Sequence, residues 1–261
     1  FLIKPFVSAA LLATALLAAP ASGKETSFAH DPEVAAFIAE MEEKHGFDAD
    51  FLQRRFARLH PNETVLKAIR PPAVPELQRS WERYRARFLN ERRIAGGARF
   101  WEQHEATLKR ASVTYGVPEE IIVAIIGVET EYGRNTGKFG VMQALSTLAF
   151  RYPPRAPFFR GELEAYLLLA RENDFDPLVL KGSYAGALGI PQFMPSSQRR
   201  YAVDFDGDGK VDLTRSVDDA VGSVASFLAQ HGWVADGKVA LPVTVEGDPA
   251  PLVALGIKPE R

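Results

Sequence analysis

The sequence has no cysteine among its 261 residues. We therefore expect no disulfide, no thiolate metal site and no lipid-bearing N-terminal cysteine. It also lacks a His-Glu-x-x-His zinc motif, a nucleotide-binding glycine fingerprint and a Gly-x-Ser-x-Gly elbow. These absences count against the chemistries that depend on those motifs, and we expect no organic cofactor.

A large excess of one charge is missing as well. The 31 Lys and Arg residues nearly balance 33 Asp and Glu residues, the formal net charge is −2, and no long basic run occurs. Nucleic acid is therefore not an expected partner. Because no long heptad seam is present either, we expect a monomer.

The first 21 residues have the pattern of an export signal. They combine a lone Lys4, an apolar run over residues 7–19 and small residues before position 21. The alternative is a membrane anchor, but the apolar run is short for a membrane span. We therefore predict a signal peptide over residues 1–21 and a periplasmic mature protein without stable membrane insertion.

The remaining pattern is mainly helical, and a hydrophobic content of 46% is enough for one large core or two small ones. Caps and apolar spacing predict helices over 32–45, 48–59, 62–69, 76–93, 98–115, 118–132, 141–150, 157–173 and 217–229. A short strand is predicted over 239–245. The aromatic residues of the N-terminal half are expected in the core, although Tyr84 is a candidate for lining a groove.

The helix that begins at Pro118 carries the first candidate catalytic residue. Residues 121–128 are apolar on every side, which predicts a helix buried all round, and Glu129 follows directly. Burial disfavours the charged carboxylate, so it raises the pKa of such a glutamate towards the range of a general acid. Glu131 lies about 200° further round the helix, which indicates one acid rather than a facing pair. The alternative is that Glu129 merely caps or salt-bridges the helix end.

Residues 181–197 lack a regular period and are rich in glycine and proline, so they predict a shaped, partly buried loop. Ser183 and Gln192 supply hydrogen-bonding groups, while Tyr184 and Phe193 supply flat apolar surfaces. This mixture suits a sugar ligand, and glycine permits close approach of the backbone to it. A purely structural loop is the alternative reading.

A cation-binding loop follows. Asp204, Asp206 and Asp208 occupy positions one, three and five, a glycine occupies position six, and Lys210 at position seven offers its backbone carbonyl. Position twelve is Arg215 instead of the usual bidentate glutamate, so the missing ligand would come from Asp218 or Asp219. We predict Ca²⁺ rather than Mg²⁺ because an all-protein oxygen cage suits it; the alternative is a set of stacked Asx turns.

Several motifs in one order, spanning roughly residues 37–233, resemble those of the lytic murein transglycosylase B family. The matching stretches are Val117-Pro118 through Ile125-Ile-Gly-Val-Glu129-Thr, Tyr152-Pro-x-Arg155-Ala, Gly161-Glu-Leu-Glu164, Lys181-Gly-Ser183-x-Ala-Gly-Ala-x-Gly189, Gln192-Phe-Met-Pro-Ser-Ser197, Tyr201-Ala-Val-Asp204-Phe and Gly222-Ser-Val.

The resemblance implies a mainly α, lysozyme-like fold with an additional helical lobe, a small EF-hand-like calcium loop and little β structure. It implies a helical lobe over 30–115, a catalytic core over 116–240 that includes the calcium loop 204–218, and the start of a truncated C-terminal segment over 241–261.

By the same resemblance, Glu129 first protonates the β-1,4 bond between N-acetylmuramic acid and N-acetylglucosamine in peptidoglycan, then acts as base to close a 1,6-anhydro ring. Substrate-binding roles are implied for Ser183, Gln192 and Phe193, with Tyr184 and Tyr84 as further candidates. The implied calcium ligands, in a structural role, are Asp204, Asp206, Asp208, the carbonyl of Lys210, and Asp218.

Two other functions are compatible with the residues. A muramidase would use Glu129 with water, and a non-catalytic peptidoglycan-binding protein would not need Glu129 at all.

Overall fold

The computed structural model of the chain describes residues 27–71, 80–242, 244, 246–248 and 250–251. The predicted signal peptide lies outside the described residues, as do parts of the predicted helix 76–93 and most of the C-terminal segment. The elements, in chain order, are α1 (Pro32–His45), α2 (Ala49–Phe56), α3 (Glu63–Ile69), α4 (Trp81–Phe88), α5 (Glu91–Gln103), α6 (Glu105–Tyr115), α7 (Glu119–Thr130), β1 (Phe139–Gly140), α8 (Val141–Arg151), α9 (Ala156–Glu172), β2 (Lys181–Gly182), α10 (Pro195–Tyr201) and α11 (Val217–Gln230).

The prediction of a mainly α fold with little β structure is confirmed. In the described part of the chain, β1 and β2 form one antiparallel pair in which Phe139 lies opposite Gly182. The strand predicted over 239–245 is wrong for residues 239–242 and 244, which have no strand structure. Within the described ranges no single helix is long and apolar enough to cross a membrane; α6 and α7 meet those criteria only as a pair bent by 113°.

Local capping explains several helix starts. Asp31 accepts hydrogen bonds from the amides of Glu33 and Val34 ahead of α1, and Asp48 accepts one from Phe51 ahead of α2. Asn90 accepts one from the amide of Arg93 and so begins α5. The predicted continuous helix 76–93 is therefore wrong at its C-terminal end, because this cap separates α4 from α5.

The chain divides into two compact units, Phe1–Pro61 and Asn62–Arg261. In the first, α1 packs on α2, with Phe37 and Phe56 in edge-to-face contact at 6.1 Å between ring centroids. The domain boundary predicted near residue 115 stays a prediction.

In the second unit, α7 lies in a core built with α5, α6 and α11. Ile122 and Ile126 of α7 are fully buried, and so are Leu108 of α6 and Val221 of α11. The prediction that α7 is buried all round is wrong, because Val128 is 44% exposed. The helix thus has a core face and a solvent face. A second group of helices, α8 with α9 and α10, packs beside the loop that follows β2.

The contact of α5 with α7 depends on glycine. The ring of Tyr132 lies over Gly96 and Gly97 of α5 and Gly127 of α7, and a Cβ at Gly127 would lie 2.5 Å from the Tyr132 oxygen. The sequence had suggested a break between two helices at Gly96 and Gly97. This packing explains why both glycines instead lie inside α5. It also fixes the aromatic ring just beyond the C-terminal end of α7.

We expect Gly127→Ala to lower the free energy of unfolding by about 1–3 kcal/mol, because the new methyl group forces the Tyr132 ring to move. The control is Gly161→Ala in α9, where an added Cβ meets nothing within 4 Å. That change should raise stability by about 0.4–1 kcal/mol, because alanine restricts the unfolded chain. Urea unfolding of both variants measures the difference, and equal effects would contradict the packing argument.

Candidate active site

Glu129 lies in the last turn of α7 at the edge of an open cleft of about 530 Å³. Its side chain keeps contact with solvent, yet burial against the surrounding protein raises the pKa of its carboxyl group. The predicted direction of this shift is confirmed. A carboxyl group that stays protonated at higher pH and faces a cleft has the properties of a general acid.

The backbone turns sharply after Glu129. Glu131, Tyr132 and Gly133 all have positive φ values, of 53°, 63° and 80°. For the first two residues this conformation is sparsely populated, so surrounding contacts must hold it. Helix α7 therefore ends at Thr130 with Glu131 as its left-handed cap, and the prediction that this helix continues to residue 132 is corrected.

Contacts from α5 hold this turn. The Tyr132 hydroxyl donates to the carbonyl of Arg93 at 3.0 Å, and the Arg93 guanidinium donates to the carbonyl of Gly127. Glu131 pairs with Arg92, its Oε1 lying 2.6 Å from Nε. Glu131 is thus engaged by α5 and does not line the cleft with Glu129, as the helical geometry predicted.

Glu129 is the only carboxylate among the described residues that line the cleft. The other lining residues are Arg134, Asn135, Thr136, Gly137, Lys138, Phe139, Ser183, Tyr184 and Gln192. The cleft therefore presents one acid, two cationic side chains, two aliphatic hydroxyl groups, two side-chain amides and two aromatic rings, one of them a phenol. This combination can supply a proton and several hydrogen bonds to a polar, ring-shaped ligand.

The structure brings Ser183, Tyr184 and Gln192 to Glu129 as predicted. The Ser183 oxygen accepts from the amides of Ala185 and Ala187, so its own hydrogen remains available for donation. The amide nitrogen of Gln192 donates to the carbonyls of Thr136 and Gly189, at 3.1 and 2.9 Å. Because both of its N–H groups are used, Gln192 has its Oε1 as the atom to offer a ligand.

Two predicted groove residues lie elsewhere. Phe193 is only 8% exposed and packs against Phe227, with ring centroids 5.2 Å apart, so it belongs to the core. Tyr84 is 51% exposed on α4, where it contacts the rings of Trp81 and Phe88, and it is not among the described lining of the cleft. Apolar and aromatic character alone did not distinguish these positions from Tyr184.

Sequence reasoning missed the cleft wall from Arg134 to Phe139. These residues line the cleft because β1 pairs with β2, which brings Phe139 opposite Gly182, next to Ser183. The feature of the sequence that could have indicated them was their position shortly after Glu129, at residues 134–139. The loop glycines also act differently from the prediction: a Cβ at Gly186 would overlap the Leu145 side chain, so this glycine serves internal packing.

The acidic loop forms a second candidate site. Carboxylate oxygens of Asp204, Asp206 and Asp219 lie within 4.8 Å of one another, and Asp219 is 1% exposed. Three anions so close together, with oxygen donors only, fit a hard divalent cation. The same carboxylates also accept backbone hydrogen bonds, such as that from the Asp208 amide to Asp206 at 3.1 Å, as in the Asx-turn alternative.

The structure favours Asp219 over the predicted Asp218 as a ligand. The Thr107 hydroxyl donates to the Asp218 carboxylate, which engages Asp218 away from the loop. The Asp208 carboxylate accepts from the Lys210 amide at 2.8 Å and lies outside the three-carboxylate group. The roles predicted for Asp208 and for the Lys210 carbonyl stay predictions.

The chain is similar to proteins of known family. Residues 29–260 match the family described as the transglycosylase SLT domain. The sequence is 48% identical to membrane-bound lytic murein transglycosylase B of Escherichia coli (strain K12) over 223 residues, which are 82% of this chain. The chain spans 61% of the length of that relative.

Two solved structures are also similar. Soluble lytic transglycosylase SltB1 from Pseudomonas aeruginosa is 54% identical with a TM-score of 0.76, covering 80% of this chain and 69% of that one. Escherichia coli lytic transglycosylase Slt35 in complex with calcium is 44% identical with a TM-score of 0.75. The match covers 90% of this chain and 77% of that one. The predicted resemblance and fold class are confirmed by these matches.

The raised pKa of Glu129 has a consequence for stability. Since the folded protein holds this proton more tightly than the unfolded chain, the free energy of unfolding falls as pH rises from the ordinary carboxyl pKa through the raised one. The Glu129→Gln variant has no carboxyl group to titrate at this position, so it does not undergo this decrease in the free energy of unfolding. We expect a higher melting temperature for the variant at pH 7 and no such gain below about pH 4. A gain that is equal at both pH values would contradict the pKa shift.

Proposed function

This chain belongs to the transglycosylase SLT domain family, and from that premise we propose that it is a lytic murein transglycosylase. Its substrate is the β-1,4 bond between N-acetylmuramic acid and N-acetylglucosamine in peptidoglycan strands. The observation that carries the proposal is the single carboxylate in the described cleft lining, Glu129, in a setting that raises its pKa.

In the first step Glu129 donates its proton to the bridging oxygen. The bond from that oxygen to C1 of the muramic acid breaks, the N-acetylglucosamine end leaves as an alcohol, and positive charge develops at C1. The Glu129 carboxylate that remains lies beside this charge. Partial desolvation favours the protonated form at the start, so the acid is ready when substrate binds.

In the second step the muramic acid's own C6 hydroxyl attacks C1. Glu129 takes the proton from that hydroxyl, which restores the acid and closes a 1,6-anhydro ring. No water is consumed and no second carboxylate is required. A hydrolase of the common two-carboxylate type would need an additional Asp or Glu across the cleft, and the described lining offers none.

The remaining cleft residues have binding roles in this proposal. Ser183 donates its hydroxyl hydrogen to a sugar oxygen, and the Oε1 of Gln192 accepts from a sugar hydroxyl or acetamido N–H. The ring of Tyr184, 38% exposed, offers a flat surface to a sugar face. Peptidoglycan lies outside the cytoplasmic membrane, so this substrate agrees with the predicted export to the periplasm.

The product distinguishes this function from its alternatives. We expect wild-type protein to release anhydro-ended muropeptides from purified sacculi, detected by mass spectrometry, and Glu129→Gln to reduce their yield by about 10²–10⁴-fold, the usual contribution of a general acid. Glu120→Gln, an exposed glutamate at the other end of α7, is the matched control and should retain full activity.

Reducing-end products that incorporate ¹⁸O from labelled water would instead identify a muramidase. Binding to sacculi without release of fragments, unaffected by Glu129→Gln, would identify a non-catalytic binding protein.

We also propose that the acidic loop binds Ca²⁺ through Asp204, Asp206 and Asp219. The close carboxylates support this, and so does the similarity to Slt35, whose structure is a complex with calcium. The ion would offset the mutual repulsion of the carboxylates and hold the loop against the start of α11, where Asp219 lies. It takes no part in the reaction steps above.

Calcium at 100 times its dissociation constant should raise the free energy of unfolding by about 2.7 kcal/mol. We expect Asp219→Asn to abolish the calcium-induced rise in melting temperature and Asp218→Asn, its neighbour, to preserve it. The measurement is the melting temperature with calcium minus that of a chelator-treated sample of the same variant. Any effect of the substitution on stability without calcium therefore cancels. A rise that survives in Asp219→Asn and disappears in Asp218→Asn would restore the ligand predicted from sequence.

A further inference from the structure

Thr130, the residue after Glu129, is 1% exposed, and its hydroxyl group has two close hydrogen-bond partners. Its hydroxyl donates to the carbonyl of Ile190 at 2.7 Å and accepts from the amide of Gly133 at 3.0 Å. The first bond joins the end of α7 to the loop that carries Gln192, and the second closes the left-handed turn. The position of Glu129 thus depends on a side chain that does not itself line the cleft.

The backbone of Ile190 extends this connection. Its N–H donates to the carbonyl of Leu213 at 2.8 Å, while its carbonyl accepts from Thr130. A Cβ at Gly189 would overlap the Leu213 carbonyl, so glycine is required for the two backbones to approach. Ile190 and Leu213 are 5% and 1% exposed, so these bonds lie away from water, where an unmade hydrogen bond is costly.

The acidic loop stands at the far end of the same connection. Asp212, which precedes Leu213, donates its amide to the Asp219 carboxylate at 2.8 Å. A continuous series of hydrogen bonds and single covalent steps therefore runs from Asp219 through Leu213, Ile190 and Thr130 to Glu129. Two separate features of the sequence, the acidic loop and the catalytic helix, are thus connected through the backbone of one residue, Ile190.

We propose that Thr130 is a positioning residue that holds the Glu129 carboxyl at a fixed place relative to Gln192 and the loop at Ser183. The inference rests on the proposed function. A helix end followed by two non-glycine residues at positive φ tends to relax unless it is held. Because misplacement of a catalytic group by about 1 Å costs up to 10²-fold in rate, this hydroxyl acts on catalysis without touching substrate.

The test compares Thr130→Val, which keeps the shape but removes the hydroxyl, with Thr130→Ser, which keeps the hydroxyl. On solubilised glycan strands we expect kcat of the valine variant to fall by about 10–100-fold with KM within twofold of wild type. The serine variant should stay within about threefold of wild type. A core residue without a positioning role would affect stability but leave kcat of the folded protein unchanged.

The pH profile gives a second readout. Without the Thr130 hydroxyl, the helix end loosens and Glu129 gains hydration, so its pKa moves down towards the ordinary carboxyl range. The acid must be protonated to act, so activity of Thr130→Val should decline at lower pH than that of wild type or Thr130→Ser. Identical profiles, or equal kcat values for the valine variant and wild type, would overturn the inference.

If Thr130→Val does not fold, Thr130→Cys and Thr130→Ser form a closer pair, because both lack the methyl group and differ mainly in hydrogen-bonding strength. The cysteine variant should show the lower kcat and faster hydrogen exchange at the Gly133 amide, and equal values would overturn the inference. Wild-type protein that yields no anhydro product would show that the proposed function itself is wrong, and the positioning role would fall with it.

Discussion

Burial of α7 is the constraint on which the rest of the structure depends. Ile122 and Ile126 are fully buried among α5, α6 and α11, so the helix cannot shift without disturbing the core of the second compact unit. That anchoring delivers Glu129 to the cleft edge. Burial at the end of this helix also raises the pKa of the Glu129 carboxyl group.

An anchored helix still needs a defined end, and this end is reached by backbone conformations that are costly in isolation. Two non-glycine residues at positive φ follow Thr130, and they persist because α5 and the Ile190 loop hold them from two sides. The Tyr132 ring can pack there only because Gly96, Gly97 and Gly127 leave room. The strain is local, whereas the contacts that compensate it come largely from two segments distant in sequence, α5 and the Ile190 loop.

Features that depend on neighbouring residues were predictable. Helix starts near residues 32, 48 and 62 were predicted because an Ncap side chain, here Asp31, Asp48 or Asn62, bonds to amides two or three residues ahead. Glu129 was identified because an apolar helix ending in a glutamate implies desolvation. The distinction between Asp218 and Asp219 was not predictable, since the two are adjacent on a helix and only the contact with Thr107 of α6 turns one away.

The cleft wall from Arg134 to Phe139 was missed for the same reason, since only the pairing of β1 with β2 places it opposite Ser183. Phe193 was misassigned because a loop without a period gives no sign of which aromatic ring faces inward.

The arrangement also bears on why one glutamate suffices for the proposed reaction. In the common two-carboxylate hydrolases, water is deprotonated on the opposite face of the sugar or after a covalent intermediate, and each route uses a second carboxylate. An internal hydroxyl is delivered by the sugar itself, so the protein needs to control only where Glu129 lies during both proton transfers. Because the same carboxyl group acts on two different oxygen atoms in succession, its position relative to the sugar must be suitable in both steps. The buried hydrogen bonds of Thr130 and of the backbone of Ile190 hold the end of α7 from outside the cleft. The residues that line the cleft are therefore left free to bind substrate.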